Sequence, residues 1–173
     1  VRTNFECVAK EHEIIFKTDE QANLPDIYAD SQRLGQVLTN LVSNAIKFTP
    51  KGKNIIIKSE LKNASDIPYN RYFDNEIKML DGNYIIVSVI DEGIGIREEN
   101  LLKAFDKFTQ IENSLSRKVG GTGLGLPIAK QLIKAHKGTI WCDSEENKGS
   151  SFYFALPVSI EKIEEKTIQK ELL

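Results

Sequence analysis

Apolar and polar positions along the chain predict alternating strands and helices. Runs rich in Ile and Val, or bounded by turn residues, predict strands over residues 13–18, 26–29, 54–61, 83–90, 139–143 and 151–156. Apolar residues at helical spacing predict helices over 1–12, 30–48, 98–105 and 124–136. No strict βαβ repeat is present, so an α/β (α+β) fold is favoured in which helices cover one face of a mixed sheet.

The helix from 30 to 48 has the strongest pattern. Asp30 or Ser31 is a suitable N-cap, and Thr49-Pro50 ends the helix. Its expected inward positions are Leu34, Val37, Leu38, Leu41, Val42, Ala45 and Ile46. For the helix from 124 to 136 the expected inward positions are Leu126, Ile128, Ala129, Leu132 and Ile133. The chain starts in mid-pattern without Met, and we expect residues 1–12 to be the end of a longer helix.

Composition narrows the function classes. The net charge of -2 comes from 23 basic and 25 acidic residues that are interleaved, which gives no signature of nucleic-acid or membrane binding. No apolar run approaches the ~20 residues that span a bilayer. Cys7 and Cys142 lack metal-ligand spacing and are expected to be reduced thiols.

The polar stretch 62–82 is too long for a hairpin turn and is either a solvated excursion or a partner-binding extension.

Three polar segments carry candidate chemistry. Asn40, Asn44 and Lys47 share one helix face, because their spacing is i, i+4 and i+7. An amide oxygen suits Mg²⁺ and a lysine suits phosphate, although an ordinary solvated stripe has the same pattern. Asp91 ends an apolar strand, where its carboxylate could accept from an exocyclic amine or simply begin a turn. The glycine-rich run 120–125 opens into a helix, whose N-terminus can hold phosphate.

The order of these motifs resembles the catalytic ATP-binding domain of sensor histidine kinases, in the superfamily shared with type II topoisomerases and mismatch-repair ATPases. The motifs are Asn-x-x-x-Asn-x-x-Lys, Asp-x-Gly-x-Gly, Phe-Asp-Lys-Phe, Gly-Thr-Gly-Leu-Gly-Leu and Gly-Ser-Ser-Phe. The resemblance covers about residues 13–157 and implies a Bergerat fold, a two-layer sandwich with a mixed, mainly antiparallel sheet. It implies a domain over 1–158, with an insertion at 62–82, an ATP lid at 106–121 and a charged linker at 159–173.

The resemblance also implies site roles. Asn44 would hold Mg²⁺ and, with Lys47, serve catalysis, while Asp91 would accept from the adenine amino group. Ser150 stands where the family often has Thr near the base. Gln110 replaces an Arg that is common in the family, so Lys107, Arg117 or Lys118 would have to supply that phosphate contact. The implied ATP-contacting positions are Asn40, Asn44, Lys47, Asp91, Gly93, Gly95, Ile96, Phe105, Lys107, Phe108, Gly121, Thr122, Gly123, Leu124, Gly125, Leu126 and Ser150.

Asn40 separates the function classes within the superfamily. Members that hydrolyse ATP usually carry Glu at the matching position, and an amide cannot accept a proton at neutral pH. The resemblance therefore favours a protein-histidine kinase, and the alternatives are an ATPase of the same superfamily or a nucleotide-binding pseudokinase. His12 and His136 lack a phosphoacceptor context. The implied partners are a histidine-containing dimerisation domain of the same parent protein and a response regulator receiver domain. A cytoplasmic location is expected, with no direct membrane contact by this chain.

Overall fold

A mixed sheet forms one layer of the protein. The computed structural model describes residues 2–67, 79, 81–101, 103–106 and 123–158, with side chains from Phe5 onward. In these residues the strands are β1 (Ile15–Glu20), β2 (Asn54–Asn63), β3 (Asn83–Asp91), β4 (Thr139–Glu145) and β5 (Gly149–Pro157). Their order across the sheet is β1-β2-β3-β5-β4. β1 runs parallel to β2 and the other neighbours are antiparallel, which confirms the mixed, mainly antiparallel sheet.

Helices form the second layer. They are α1 (Arg2–Glu11), α2 (Ser31–Phe48), α3 (Glu98–Leu101) and α4 (Gly125–Ala135) within the described ranges. Asp30 is the N-cap of α2, because its Oδ1 accepts from the N–H groups of Gln32 and Arg33 at 2.9 and 3.0 Å. The helix ends before Pro50, as the sequence predicts.

Strand alternation divides the apolar residues between the two faces of the sheet. On β5, Phe152, Phe154 and Leu156 join the main core with the buried residues of α1, α2 and α4. Tyr153 and Ala155 point to the opposite face, where they belong to a smaller cluster. The helices therefore cover one face, which confirms the predicted layer arrangement.

The smaller cluster lies beneath part of the predicted insertion. The Trp141 side chain is only 2% exposed, and its ring stacks on Tyr153 with 5.1 Å between centroids. Ile67 and Met79 pack in the same cluster. Ala64–Asp66 forms a 3₁₀ turn that leads to Ile67. The described ends of the 62–82 segment thus cover aromatic side chains of the sheet and are not entirely a solvated excursion.

Two predictions were wrong, and a third was wrong in extent. Residues 26–29 form no strand, because the chain only passes over the surface there and Tyr28 is 90% exposed. Ile128 does not point into the core but is 37% exposed. The inward stripe of α4 runs through Ala129 and Ile133, four residues apart, and Ile128 lies about 100° away from it around the helix. The helix predicted over 98–105 is too long, since residues 98–101 are helical and 103–105 form a turn.

Candidate functional site

Asp91 lies at the end of β3, where the chain leaves the sheet. The residue is 7% exposed, and its Oδ1 accepts from the N–H groups of Gly93 at 2.8 Å and Ser150 at 3.2 Å. Burial raises the pKa of the carboxyl to about 6, although the two backbone hydrogen bonds oppose that rise. Both of these bonds end on Oδ1, which leaves Oδ2 as the oxygen available to a ligand.

The turn after Asp91 is packed too closely for side chains at its glycines. A Cβ at Gly93 would come within 2.6 Å of both Asp91 Oδ1 and the Phe48 carbonyl oxygen. Gly95 has φ +67°, and a Cβ there would overlap the carbonyl group of Glu145. Because these glycines carry no side chains, the turn packs directly against Phe48 and Glu145. This packing brings the Gly93 N–H within hydrogen-bond distance of the Asp91 carboxylate.

The polar face of α2 meets the start of α4. Asn40, Asn44 and Lys47 are all half-buried, and the Asn40 Nδ2 donates to the Gly125 carbonyl oxygen at 3.0 Å. Leu124 is the N-cap of α4 and has no side-chain acceptor, so among the described residues no side-chain cap satisfies the first N–H groups of that helix. Such a helix end favours an anion, and Asn40, one of the predicted phosphate-binding residues of α2, lies beside it.

α2 and α4 are also joined where α2 begins and α4 ends. The backbone N–H of Asp30 donates to His136 Nε2 at 3.1 Å, and His136 Nδ1 lies 2.7 Å from the Leu132 carbonyl oxygen. α2 and α4 therefore run antiparallel, with Asn40 beside the N-terminus of α4. His136 therefore has a structural role, since it joins the start of α2 to the end of α4, far from Asn40.

Three predicted apolar contacts lie on the border of the core. Ile96, Phe105 and Leu126 are half-buried and pack against the main core. The Phe105 ring meets Phe152 edge-on, with centroids 6.3 Å apart and an interplanar angle of 80°. Each of these side chains is therefore partly exposed in the described structure.

The remaining predicted positions divide between described and undescribed residues. Gly123 has φ +66°, and Leu124 and Gly125 continue from it into α4. Ser150 is 8% exposed, and its N–H contacts Asp91. The predictions that lie outside the described residues are Lys107, Phe108, Gln110, Arg117, Lys118, Gly121, Thr122, nearly all of the 106–121 lid and the 159–173 linker.

Ser144 belongs to this site and was missed in the sequence. Its Oγ accepts from the N–H of Ile96 at 2.8 Å and lies 3.0 Å from Ser150 Oγ. The available signal was hairpin register: a short turn at 146–148 places Ser144 opposite Ser150 on adjacent strands.

The chemistry of these groups is that of a nucleotide site. Asp91 is a buried acceptor that suits a base, and the half-buried apolar side chains suit the faces of a ring. The Asn40 amide beside the start of α4 suits phosphates. Among the described residues no group of three or more His, Cys, Asp or Glu side chains could hold a metal ion. A metal here would instead need amide and phosphate oxygens, which suit Mg²⁺. None of the helices in the described ranges is long and apolar enough to cross a membrane.

Comparisons with known proteins agree with this geometry. Residues 29–160 match the family described as histidine kinase-, DNA gyrase B-, and HSP90-like ATPase. The chain is 38% identical over 144 residues to sensor histidine kinase WalK of Bacillus subtilis, a match that covers 81% of this chain and 21% of WalK. It is 36% identical over 158 residues to the adaptive-response sensory kinase SasA of Thermosynechococcus vestitus, covering 91% of this chain and 35% of SasA. The chain thus spans about a third or less of these curated relatives.

Solved structures show the same fold. The catalytic domain of histidine kinase ThkA, in a nucleotide-free form, superposes with a TM-score of 0.68 at 32% identity, covering 92% of this chain and 89% of that one. Full-length ShkA in complex with AMPPNP superposes with a TM-score of 0.69 at 27% identity, covering 91% of this chain and 29% of that one.

Proposed function

The chain belongs to the family of histidine kinase-, DNA gyrase B- and HSP90-like ATPases, as a sensor histidine kinase catalytic domain, and from this we propose that it binds Mg-ATP and delivers the γ-phosphate to a histidine of a separate dimerisation domain. The observation that carries the proposal is the contact between Asn40 and Gly125, with 3.0 Å from Nδ2 to the carbonyl oxygen. It sets the Asn40 amide of α2 against a helix N-terminus, an arrangement that suits phosphates.

At the base end, Asp91 would recognise adenine. Its ionised carboxylate can only accept, and Oδ1 already receives two backbone N–H groups. Oδ2 would accept from the exocyclic amino group, while Ile96 and Leu126 would cover the faces of the ring. Ser150 lies beside the carboxylate and would contact the base through its hydroxyl.

At the phosphate end, Asn44 would supply an amide oxygen to Mg²⁺ and Lys47 would supply a positive charge to phosphate. The metal, when bound, would neutralise charge that develops on the transferred phosphoryl group. The first N–H groups of α4 would hold the phosphates in position for transfer. Lys107, Phe108 and Gly121 remain proposed contacts from the lid, 106–121, and Thr122 is a proposed contact directly after it.

Asn40 distinguishes a kinase domain from an ATPase. With an amide in place of a carboxylate, no base is available at this position to activate water, so bound ATP would be hydrolysed slowly. The histidine acceptor would come from the dimerisation domain of the parent protein, and a response regulator receiver domain would take the phosphoryl group from that histidine. We propose a cytoplasmic location because ATP and these partners are found there.

The test is a calorimetric titration of the chain with Mg-ATP, with phosphate release followed in the same sample. Asn44→Ala is the matched variant, because it removes the proposed metal ligand from the surface of α2. We expect the parent chain to bind without steady phosphate release and Asn44→Ala to bind more weakly in the presence of Mg²⁺. Binding with steady release would favour the ATPase alternative, and absence of binding would favour a pseudokinase.

A further inference from the structure

Ser144 joins three parts of the site through one oxygen atom. It lies near the end of β4, directly opposite Ser150 on β5. Its Oγ accepts from the N–H of Ile96 at 2.8 Å, and it lies 2.8 Å from the Gly149 carbonyl oxygen and 3.0 Å from Ser150 Oγ. The hydroxyl therefore connects the turn after β3 to the beginning of β5.

The same two segments provide the hydrogen-bond donors of Asp91. Gly93 belongs to the turn and donates to Oδ1 at 2.8 Å, while Ser150 belongs to β5 and donates to Oδ1 at 3.2 Å. If the turn and the strand moved apart, the carboxylate could not keep both donors on one oxygen. The orientation of Oδ2 therefore depends on the separation that Ser144 helps to hold.

A backbone contact supports the same junction and limits how much Ser144 can contribute. The N–H of Asn147 donates to the Ile94 carbonyl oxygen at 2.7 Å, so the turn stays attached when the serine hydroxyl is removed. Loss of Ser144 should consequently loosen the geometry around Asp91 without unfolding the hairpin. One neutral hydrogen bond contributes about 0.5–1.5 kcal/mol, which corresponds to a change in affinity of about two- to tenfold.

We propose that Ser144 is a positioning residue for adenine recognition: its hydroxyl holds the Gly93–Ile96 turn against β5, so that two N–H groups orient the Asp91 carboxylate toward the amino group of the base. This inference rests on the proposed function. Ser144 itself does not contact the nucleotide in this scheme.

The experiment compares the affinities of the chain for Mg-ATP and for the magnesium complex of purine riboside triphosphate, which lacks the 6-amino group. For Ser144→Ala we expect ATP affinity to fall about two- to tenfold while the affinity for the purine nucleotide stays constant. A merely structural weakening would lower both affinities equally. Ser144→Thr keeps the hydroxyl and should restore the ratio, and Ser59→Ala, a half-buried strand serine on β2, should leave it unchanged.

The possible results test the proposed function and the role of Ser144 separately. Absence of ATP binding by the parent chain would overturn the proposed function itself. Parent-like discrimination in Ser144→Ala would overturn the role of Ser144 and leave the proposed function standing. If Ser144→Ala melts below the assay temperature, Ser144→Cys replaces it, since a thiol is similar in size and a weaker hydrogen-bonding group. Discrimination by Ser144→Cys equal to that of Ser144→Thr would then refute the proposal.

Discussion

Asp91→Asn is the substitution that tests the chemistry of the site most directly. The carboxyl is 7% exposed and its pKa is raised from 3.8 to about 6, because burial penalises the charged form. Asparagine keeps the size and the acceptor oxygen but cannot titrate. The difference in unfolding free energy between the parent chain and this variant therefore isolates the ionisation of Asp91 from every other titrating group.

The sign of the stability effect follows from the raised pKa. The folded state holds the proton more tightly than the unfolded state, so the stabilising contribution is complete below pH 3.8 and is lost as pH rises through about 6. The full loss is about 3 kcal/mol, since each unit of pKa shift corresponds to about 1.4 kcal/mol. Between pH 4 and pH 7 the parent chain should lose about 2 kcal/mol relative to Asp91→Asn.

Nucleotide binding should respond to pH in the opposite direction. The amino group of adenine needs the ionised carboxylate, and at pH 5 only about a tenth of Asp91 would be ionised with a pKa of about 6. ATP affinity should fall about tenfold from pH 7 to pH 5 relative to the affinity for purine riboside triphosphate. At pH 6 about half of the molecules should release a proton from Asp91 when ATP binds.

The assays are urea unfolding at pH 4 to 7 and calorimetry in two buffers of different ionisation enthalpy. Comparison with Asp91→Asn removes the proton release that arises from the nucleotide phosphates. A stability difference between the parent chain and the variant that stays flat from pH 4 to 7 would refute the burial argument. A flat difference in proton release would refute the role of Asp91 as the acceptor for adenine.

Further substitutions test three other parts of the structure. Asn40→Glu introduces a carboxylate base and should raise steady phosphate release at least about tenfold, measured with a coupled phosphate assay. Gly95→Ala forces a Cβ onto the backbone of the facing strand and should destabilise the fold by about 2–4 kcal/mol in urea unfolding. A Cβ at Gly35 would meet no atom within 4 Å, so Gly35→Ala should stabilise the fold by about 0.5–1 kcal/mol. Ile67→Ala should cost about 2–4 kcal/mol and shift the emission of the single tryptophan, Trp141, to the red.

The controls separate these mechanisms from general disturbance. Asn40→Gln keeps an amide without a base, and phosphate release equal to that of Asn40→Glu would exclude general-base catalysis. Equal stabilities of the two alanine-for-glycine variants would show that the close approach at Gly95 carries no cost. For the smaller cluster, Val8→Ala is the comparison, because Val8 is 40% exposed on α1. Unchanged tryptophan emission in Ile67→Ala would show that Ile67 does not shield the ring.

Most elements could be predicted because their signals are local. The α2 boundaries depend on an N-cap at Asp30 and a break before Pro50, both of which act within one turn of helix. The wrong predictions were made where tertiary contacts decide the outcome. The 26–29 segment has strand-like residues, but no neighbouring strand pairs with it in the described sheet.

The sequence alone determined which side chains share a helix face or a strand face, because the backbone repeat sets these relations over a few residues. Asn40 and Asn44 on α2 and the alternation of Phe152 and Tyr153 on β5 are of this kind. Only the tertiary structure decided which distant groups meet. Ser144 and Ile96 are 48 residues apart in the chain, and Asn40 and Gly125 are 85 residues apart. Such contacts depend on how the layers pack, which no local pattern specifies.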